Sequence, residues 1–435
     1  MPSHQSWGRI PTANHSVQSV YWKEDIQKYL KETSSILSYG MGRSYGDSCL
    51  NDGNIVVDFS QLNRYISFDA STGVLECEAG VTFAEIIDTF LPMGWFLPVT
   101  PGTKYVTVGG AIANDVHGKN HHVEGTIGHH IQSLTLFRSD SQVYTCSLTE
   151  NEELFRATIG GLGLTGCIIT ARLKLKKVTN EYFSLESLKF KGIDDFFAIN
   201  EESEKNFEYT VSWIDCSSTG SKLGRGIYMR GNHSQQQHPP LPFKKPKLKF
   251  PIEAPTWLLN ATSIKAFNFL YYNKQLSSFV KKEVPYNPFF YPLDFILEWN
   301  KMYGKVGFYQ FQCVIPFGDE KVGIKKLLSA IANSGKASFL AVLKTFGTKP
   351  SVGMMSFPSP GVTLALDFRN DGDSTVALLH QLEEIVADYN GKMYPAKDAT
   401  MRPKYFQQFY PQWKEFSHWK DPKISSSFWR RVTNQ

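Results

Sequence analysis

Gly40-Met41-Gly42-Arg43-Ser44-Tyr45-Gly46-Asp47 is the stretch on which the fold reading turns. Its three glycines follow an apolar run, Ser35–Tyr39, that reads as a strand. A loop so rich in glycine can turn successive backbone N–H groups inward and cradle a phosphate or pyrophosphate. It is not a P-loop, because no Gly-Lys-Ser/Thr follows. Nor is it a Rossmann fingerprint, because the third glycine is misplaced and no amphipathic helix comes next. Taken alone, the loop reads equally well as a structural turn.

Two more glycine-dense loops lie outward from it. Pro101-Gly102-Thr103 precedes Thr107-Val108-Gly109-Gly110-Ala111-Ile112-Ala113, and Gly160-Gly161-Leu162-Gly163-Leu164-Thr165-Gly166 precedes a strand. Paired glycines admit close approach of a flat ligand or of another backbone. One such loop is a weak signal, but three at strand edges suggest one long ligand crossing several loops. Between them stands a histidine cluster, His117, His121, His122, His129 and His130. Imidazole is the commonest metal ligand. No Glu or Cys stands at a familiar ligand spacing, so polar contacts to a cofactor or an anionic substrate are the preferred reading, with Lys119 as charge partner and no metal. Tyr394-Pro395-Ala396-Lys397-Asp398 carries a lysine among aromatic neighbours. Lys397 is either a solvated surface group or a cation meeting an anionic ligand. Gln310 and Gln312 share one strand face, either solvated or able to hydrogen-bond a sugar.

The 435 residues fit two or three domains or two large lobes at roughly 150 residues per domain. A charged fraction of 20% with 14% aromatics excludes wholesale disorder. The net charge of +5 is too small to argue for nucleic acid. The six cysteines are scattered, without a Cys-x-x-Cys pair, as expected of buried thiols in a reducing compartment. No basic start with an apolar run suggests a signal peptide, and no stretch suggests a bilayer-spanning helix. Membrane association is therefore expected to be peripheral, at the cytoplasmic face.

Up to about residue 178, strands at Asn54–Phe59, Val74–Ala79 and Ile168–Lys176 alternate with helices. Thr82 with Glu85 predicts a capping box for a helix over Phe83–Leu91, and Thr149 with Glu152 predicts a second before Leu154–Thr158. From about 180 to 370, strands are expected at Tyr209–Ile214, Gly307–Ile315 and Thr363–Phe368. A helix there would bury Ile324, Leu327, Leu328 and Ile331. Segregated strands and helices suggest an antiparallel sheet with helices on one side. Residues 233–250 form a Pro- and Lys-rich loop in which Phe243, Lys244, Lys245, Lys247, Lys249 and Phe250 interleave. It is either a surface excursion, such as a lid, or a contact with an anionic membrane. After Ser374 an amphipathic helix runs to Asn390–Gly391, and an aromatic tail folds back onto another lobe. The fold class is α+β.

Together these blocks resemble flavoenzymes of the vanillyl-alcohol-oxidase type, whose FAD domain binds the pyrophosphate on a glycine-rich loop. GMGRSYGD, PGTKYVTVGGAIANDVHGKNHH, ELFRATIGGLGLTG, FYPLDFILEWNKMYG, FYQFQCVIP and YPAKD resemble, in the same order, the decaprenylphosphoryl-β-D-ribose 2′-oxidase family. The resemblance implies an FAD-binding domain over 1–178, completed by 392–435, and a substrate domain over 179–391. By position it implies FAD contacts from Ser38, Tyr39, Gly40, Met41, Gly42, Arg43, Ser44, Tyr45, Gly46, Asp47 and Ser48. Further contacts would come from Gly102, Thr107, Val108, Gly109, Gly110, Asn114, Asp115, Val116, His117, Ile168 and Tyr394. Lys397 matches the active-site lysine, and Lys119, Trp213, Gln310 and Gln312 match residues of the substrate pocket. Related sugar and lactone oxidases often tether the flavin through a histidine where Ser44 stands here, so the FAD is expected to be non-covalent.

The implied reaction oxidises the 2′-hydroxyl of a polyprenylphosphoryl ribose to a ketone, the first half of an epimerisation supplying arabinan precursors for the cell envelope. A separate NAD(P)H-dependent short-chain reductase would act next, and a quinone would take the electrons. Two departures stand out. Ala365 replaces a cysteine that serves covalent nitroaromatic inhibitors as a handle, and Thr363 replaces an asparagine, which changes the polarity of the pocket wall. The rival readings are an alditol or aldonolactone oxidase using O₂ on a small polyol, a non-enzymatic anion-binding protein, and a metal-dependent hydrolase.

Overall fold

In the computed structural model, which describes residues 4–241, 248–250, 252–255 and 259–434, the apolar run before the first glycine loop is the strand Ile36–Tyr39. It pairs in parallel with Ile55–Asp58, which pairs in parallel with Ser16–Ser19 on its other side. A five-stranded antiparallel sheet follows, ordered Tyr65–Asp69, Val74–Glu78, Cys167–Lys174, Ile131–Phe137 and Val143–Cys146. The helix Phe83–Phe90 packs its buried Phe83, Ile86, Ile87 and Phe90 into the same core. Its predicted capping box is present: Thr82 Oγ1 accepts from Glu85 N–H (3.2 Å), and the Glu85 carboxylate accepts from Thr82 N–H (2.7 Å).

The second capping box does not form. Asn151, not Thr149, precedes the helix Glu152–Thr158, in a left-handed conformation (φ 48°, ψ 45°) and without a side-chain cap. The Thr149 N–H donates instead to Ser147 Oγ, so a Ser-centred turn takes the place of the box.

The second half is organised by an eight-stranded antiparallel sheet. Its order is Phe279–Pro285, Tyr182–Phe190, Gly226–His233, Tyr209–Ile214, Ala341–Phe346, Gly361–Arg369, Phe308–Pro316 and Lys392–Met393. Period-two alternation gives it two unlike faces. On Phe308–Pro316, Phe311, Cys313 and Ile315 point into a core shared with the helices Ile193–Asn206, Glu320–Asn333 and Asp373–Asp388. The intervening Gln310 and Gln312 point the other way, into a cavity. The helix Glu320–Asn333 buries Ile324, Leu327, Leu328 and Ile331, the face expected from their spacing.

After Met393 the chain returns to the first lobe. Ile36 N–H donates to Lys423 O (2.9 Å) and Ser425 N–H to Ile36 O (3.1 Å), which lays the tail along the first strand. Arg431 then donates to both oxygens of buried Asp47 (2.8 Å each) and to buried Asp398 (3.0 Å). Among the described residues no helix is long and apolar enough to cross a membrane. All six cysteines are free thiols. Phe243, Lys244, Lys245 and Lys247 lie outside the described residues; Lys249 is described and pairs with Glu298 (2.9 Å).

Candidate active site

A cavity of about 1400 Å³ lies between the glycine loops and the face of the eight-stranded sheet turned away from helices Ile193–Asn206, Glu320–Asn333 and Asp373–Asp388. On one wall, strand Ile36–Tyr39 delivers the 40–46 loop. Trp7 N–H donates to Ser44 O (2.8 Å) and Tyr45 N–H to Ala396 O (2.9 Å), pinning the loop's far end to the N-terminal and C-terminal segments. Among the described residues, the five successive N–H groups from Gly40 to Ser44 donate to no protein acceptor. Gly42 is buried and its four neighbours half-buried, and amides in such a setting are rarely left so unless water or a ligand meets them. Glycine is needed here for two reasons. Gly42 has φ +61°, and a Cβ on Gly40 would overlap Thr107 Oγ1 of the second glycine loop. This is a cradle that a side chain would fill, and it fits a pyrophosphate-bearing cofactor.

The second glycine loop behaves differently. Thr107 caps the helix Val108–Ala113 by accepting from Gly110 N–H (3.1 Å). Val108 N–H donates to Val81 O and Gly109 N–H to Ala79 O (2.8 Å each). These amides are committed to protein, so this loop offers a flat surface and not a second anion cradle. Of the residues expected to touch cofactor, Ser38, Tyr39, Gly40, Met41, Gly42, Arg43, Ser44, Tyr45, Ser48, Gly102, Thr107, Gly109, Gly110, Asn114, Val116, His117, Ile168 and Tyr394 line the cavity. Gly46, Asp47, Val108 and Asp115 do not line it. Asp47 is engaged by Arg431, and Asp115 accepts from Gly128 N–H (3.0 Å) and Ser356 Oγ (2.5 Å). Both carboxylates hold the wall from behind.

The opposite wall is built of side chains. Lys119, Trp213, Gln310, Gln312, Thr363, Ala365 and Lys397 all line the cavity, as expected for the substrate pocket. The Trp213 indole N–H donates to Phe339 O (3.0 Å), which fixes its ring. Lys119 donates to Phe290 O (2.8 Å), and burial pushes its pKa down to about 8. Lys397 Nζ sits 3.9 Å from the centroid of the Tyr45 ring. Burial lowers its pKa to about 8, against the opposing pull of Asp367.

Two ionisable residues were not anticipated, Lys344 in this wall and Asp367 behind it. Lys344 donates to Gly118 O (2.6 Å) and to Nδ1 of His117 (2.8 Å). His117 Nε2 lies 3.1 Å from the Gln312 amide, which also reaches Thr363 Oγ1 (3.3 Å). Burial first, then Lys344, holds His117 well below its ordinary pKa, so the ring is neutral. Asp367, buried at 1% exposure, accepts from Gln310 (2.7 Å). Burial pushes its pKa up to about 7. The signal for both was in the sequence: one charged residue alternating into an otherwise apolar strand, AVLKTF and VTLALDF.

The histidine cluster disperses. His121 accepts from Gly347 N–H (3.1 Å), while the rings of His122, His129 and His130 reach the carbonyls of Phe207 (2.9 Å), Pro350 (2.9 Å) and Glu124 (3.2 Å). Only His117 of the five lines the cavity. Among the described residues no group of three or more His, Cys, Asp or Glu is arranged to hold a metal ion.

An amide cradle open to a large cavity, beside a wall of amines, is the arrangement of a dinucleotide-cofactor enzyme without a Rossmann loop. Residues 23–147 match a family model described as an FAD binding domain, and with the full-length relative that follows the chain is an FAD-dependent oxidoreductase of the vanillyl-alcohol-oxidase type. It is 34% identical over 429 residues to the decaprenylphosphoryl-beta-D-ribose oxidase of Mycolicibacterium smegmatis, covering 94% of this chain and 92% of that protein. The chain belongs to that protein's family. An uncharacterised Streptomyces coelicolor protein is 29% identical over 77% of this chain and 94% of its own length. The L-gulonolactone oxidase of Mus musculus is more distant, at 27% identity over 33% of this chain and 32% of its own length.

Proposed function

We propose that the protein oxidises the 2′-hydroxyl of a polyprenylphosphoryl-β-D-ribose to the 2′-ketone, the first half of its epimerisation to the arabinose form. The observation that carries the reading is the joint presence, in one cavity, of the open amide cradle, half-buried Lys119 and Lys397, and buried Lys344. Three amines in an apolar enclosure suit a substrate that brings its own phosphate charge, and they suit a small neutral polyol poorly.

Residues 1–178 with 392–435 form the FAD lobe in this reading, and 179–391 the substrate lobe. The 40–44 amides hold the pyrophosphate, and Tyr394 and His117 support the flavin end. Bound FAD would supply the two-electron hydride acceptor that oxidation at C2′ requires. The chain's own residues do the rest. Lys397, with Gln310 and Asp367 behind it, orients the sugar hydroxyl and receives its proton when the amine is neutral. Lys344 and Lys119 face the phosphodiester, and Gln312 hydrogen-bonds the sugar. Ser44 offers no tethering atom, and both ring nitrogens of His117 are already engaged by Lys344 and Gln312, so the FAD is held without a covalent bond. An NAD(P)H-dependent short-chain reductase acts on the ketone, a quinone reoxidises the flavin, and the protein works peripherally at the cytoplasmic face of the membrane.

Anaerobic mixing of the FAD-loaded protein with farnesylphosphoryl ribose tests this. The flavin absorbance should bleach in a single turnover. Bleaching by xylitol or a gulonolactone, and not by the lipid sugar, would replace the substrate assignment.

A further inference from the structure

The helix Ala261–Lys274 is built inside out for a soluble protein. Its two fully buried positions are Ile264 and Asn268, one turn apart on one face. Asn268 is anchored there, its Nδ2 donating to Asp215 Oδ1 and to Ser338 O (3.1 Å each). Anchoring that face fixes the opposite one, which carries Thr262, Ala266, Phe269, Leu270 and Asn273, the last with its amide turned back to Phe269 O (2.9 Å). Phe269 is 56% exposed and Leu270 67%. Leu276 and Phe279, just beyond the helix, are also exposed. An amphipathic helix normally turns its apolar stripe to the core, and contiguous outward apolar groups mark an interaction surface.

Two further observations identify the partner. Residues 259–282 contain Lys265, Lys274, Lys281 and Lys282; Lys281 is paired with Glu186 (3.2 Å) and Glu283 accepts from Ser184, so Lys265, Lys274 and Lys282 are the exposed charges beside the apolar face. The same helix borders the cavity: Phe267 and Tyr271, on its flank, line it, as do exposed Leu248 and Phe295. The apolar surface is therefore continuous with the cavity. A protein partner would need matching acids, whereas an anionic bilayer satisfies both the apolar face and the lysine rim.

We propose that the outer face of helix 261–274, extended by Leu276 and Phe279, docks on an anionic lipid surface and sets the cavity against the bilayer. A substrate's polyprenyl chain then passes between membrane and cavity along Phe267 without crossing water. The inference deepens the function proposed above and rests on it for the lipid character of the substrate.

The test is co-sedimentation of FAD-loaded protein with phosphatidylglycerol or phosphatidylcholine vesicles, without substrate. The wild type should sediment with phosphatidylglycerol vesicles and not with phosphatidylcholine. Phe269→Ser/Leu270→Ser should weaken that at least ten-fold, and Lys265→Glu/Lys282→Glu should do the same at low salt. Both variants should keep their bound flavin and their bleaching by farnesylphosphoryl ribose in detergent, which shows that they fold. Wild-type protein that ignores phosphatidylglycerol, or variants that sediment as the wild type does, would overturn the proposal, as would a face that instead dimerises in gel filtration. Because sedimentation is read without substrate, its failure leaves the sugar oxidation standing. Failure to bleach would count against the oxidation alone.

Discussion

The two walls of the cavity are made by opposite means. The glycine wall presents backbone: five open amides, a left-handed Gly42 and a contact between two loops that only a missing Cβ permits. The sheet wall presents side chains, one from every second residue of its central strands, and its chemistry is carried by groups that burial pushes from their usual protonation states. A backbone wall is specified by a short contiguous string of residues. A side-chain wall is specified by residues far apart in the chain that strand register brings together. The first should therefore fail through conformation and the second through charge.

The largest effect is expected on the sheet wall. Lys397→Ala should lower the rate of flavin bleaching by roughly 10²–10⁴-fold while FAD stays bound, as for loss of a positioned acid–base group. Stopped-flow absorbance reads both. The pH profile sharpens the point. With its pKa held down to about 8, the Lys397 amine becomes neutral as pH rises through that value. Asp367 is protonated as pH falls through about 7. The bleaching rate should therefore climb between pH 7 and 9, and Lys397→Arg should flatten that limb, because a guanidinium stays charged throughout. A profile that falls over this range would assign Lys397 to phosphate binding instead.

Arg431→Ala comes next, and it tests what stands behind the glycine wall. It strips the charge partner from Asp47 and Asp398, 3% and 2% exposed. Breaking one side of a buried pair typically costs about 3–5 kcal/mol. A fall in Tm, larger for apoprotein than for FAD-loaded protein, is the expected reading.

Gly42→Ala attacks the cradle itself. Forcing a Cβ onto a left-handed residue costs about 1–2 kcal/mol, or roughly ten-fold in FAD affinity if the loop relaxes to avoid it. Flavin fluorescence titration measures it. The maximal rate on saturation with FAD should be nearly unchanged, in contrast to Lys397→Ala. The smallest effect belongs to Ala365→Cys. Ala365 faces the cavity on an otherwise buried strand. The thiol should leave turnover within about three-fold, as expected of a near-isosteric change. It should add one cavity site for a thiol reagent, counted by mass spectrometry.

The same contrast explains what was legible in the sequence. The 40–46 loop, the Thr82 capping box and the alternation of Gln310 and Gln312 are local patterns, and each appears in the structure as read. The Thr149 box was equally local but lost to the Ser147 turn, whose hydroxyl already holds the Thr149 amide. Lys344 and Asp367 escaped because their roles depend on strand partners and on Gly118, His117 and Gln310, none of them near in sequence. Gly46, Asp47, Val108 and Asp115 sit within the same motifs and do not line the cavity. A motif's span does not say which of its members face a cavity.

The tail clasp has a consequence in time. Tyr45 N–H waits for Ala396 O, and Asp47 waits for Arg431. The cradle is among the first segments to leave the ribosome, but its fastenings are among the last. Flavin capture should therefore follow synthesis of the residues up to the tail, and stalled nascent chains ending before residue 390 should show no flavin retention on pull-down. The cofactor thus acts as a latch on an already complete molecule, not as a seed around which the first lobe grows.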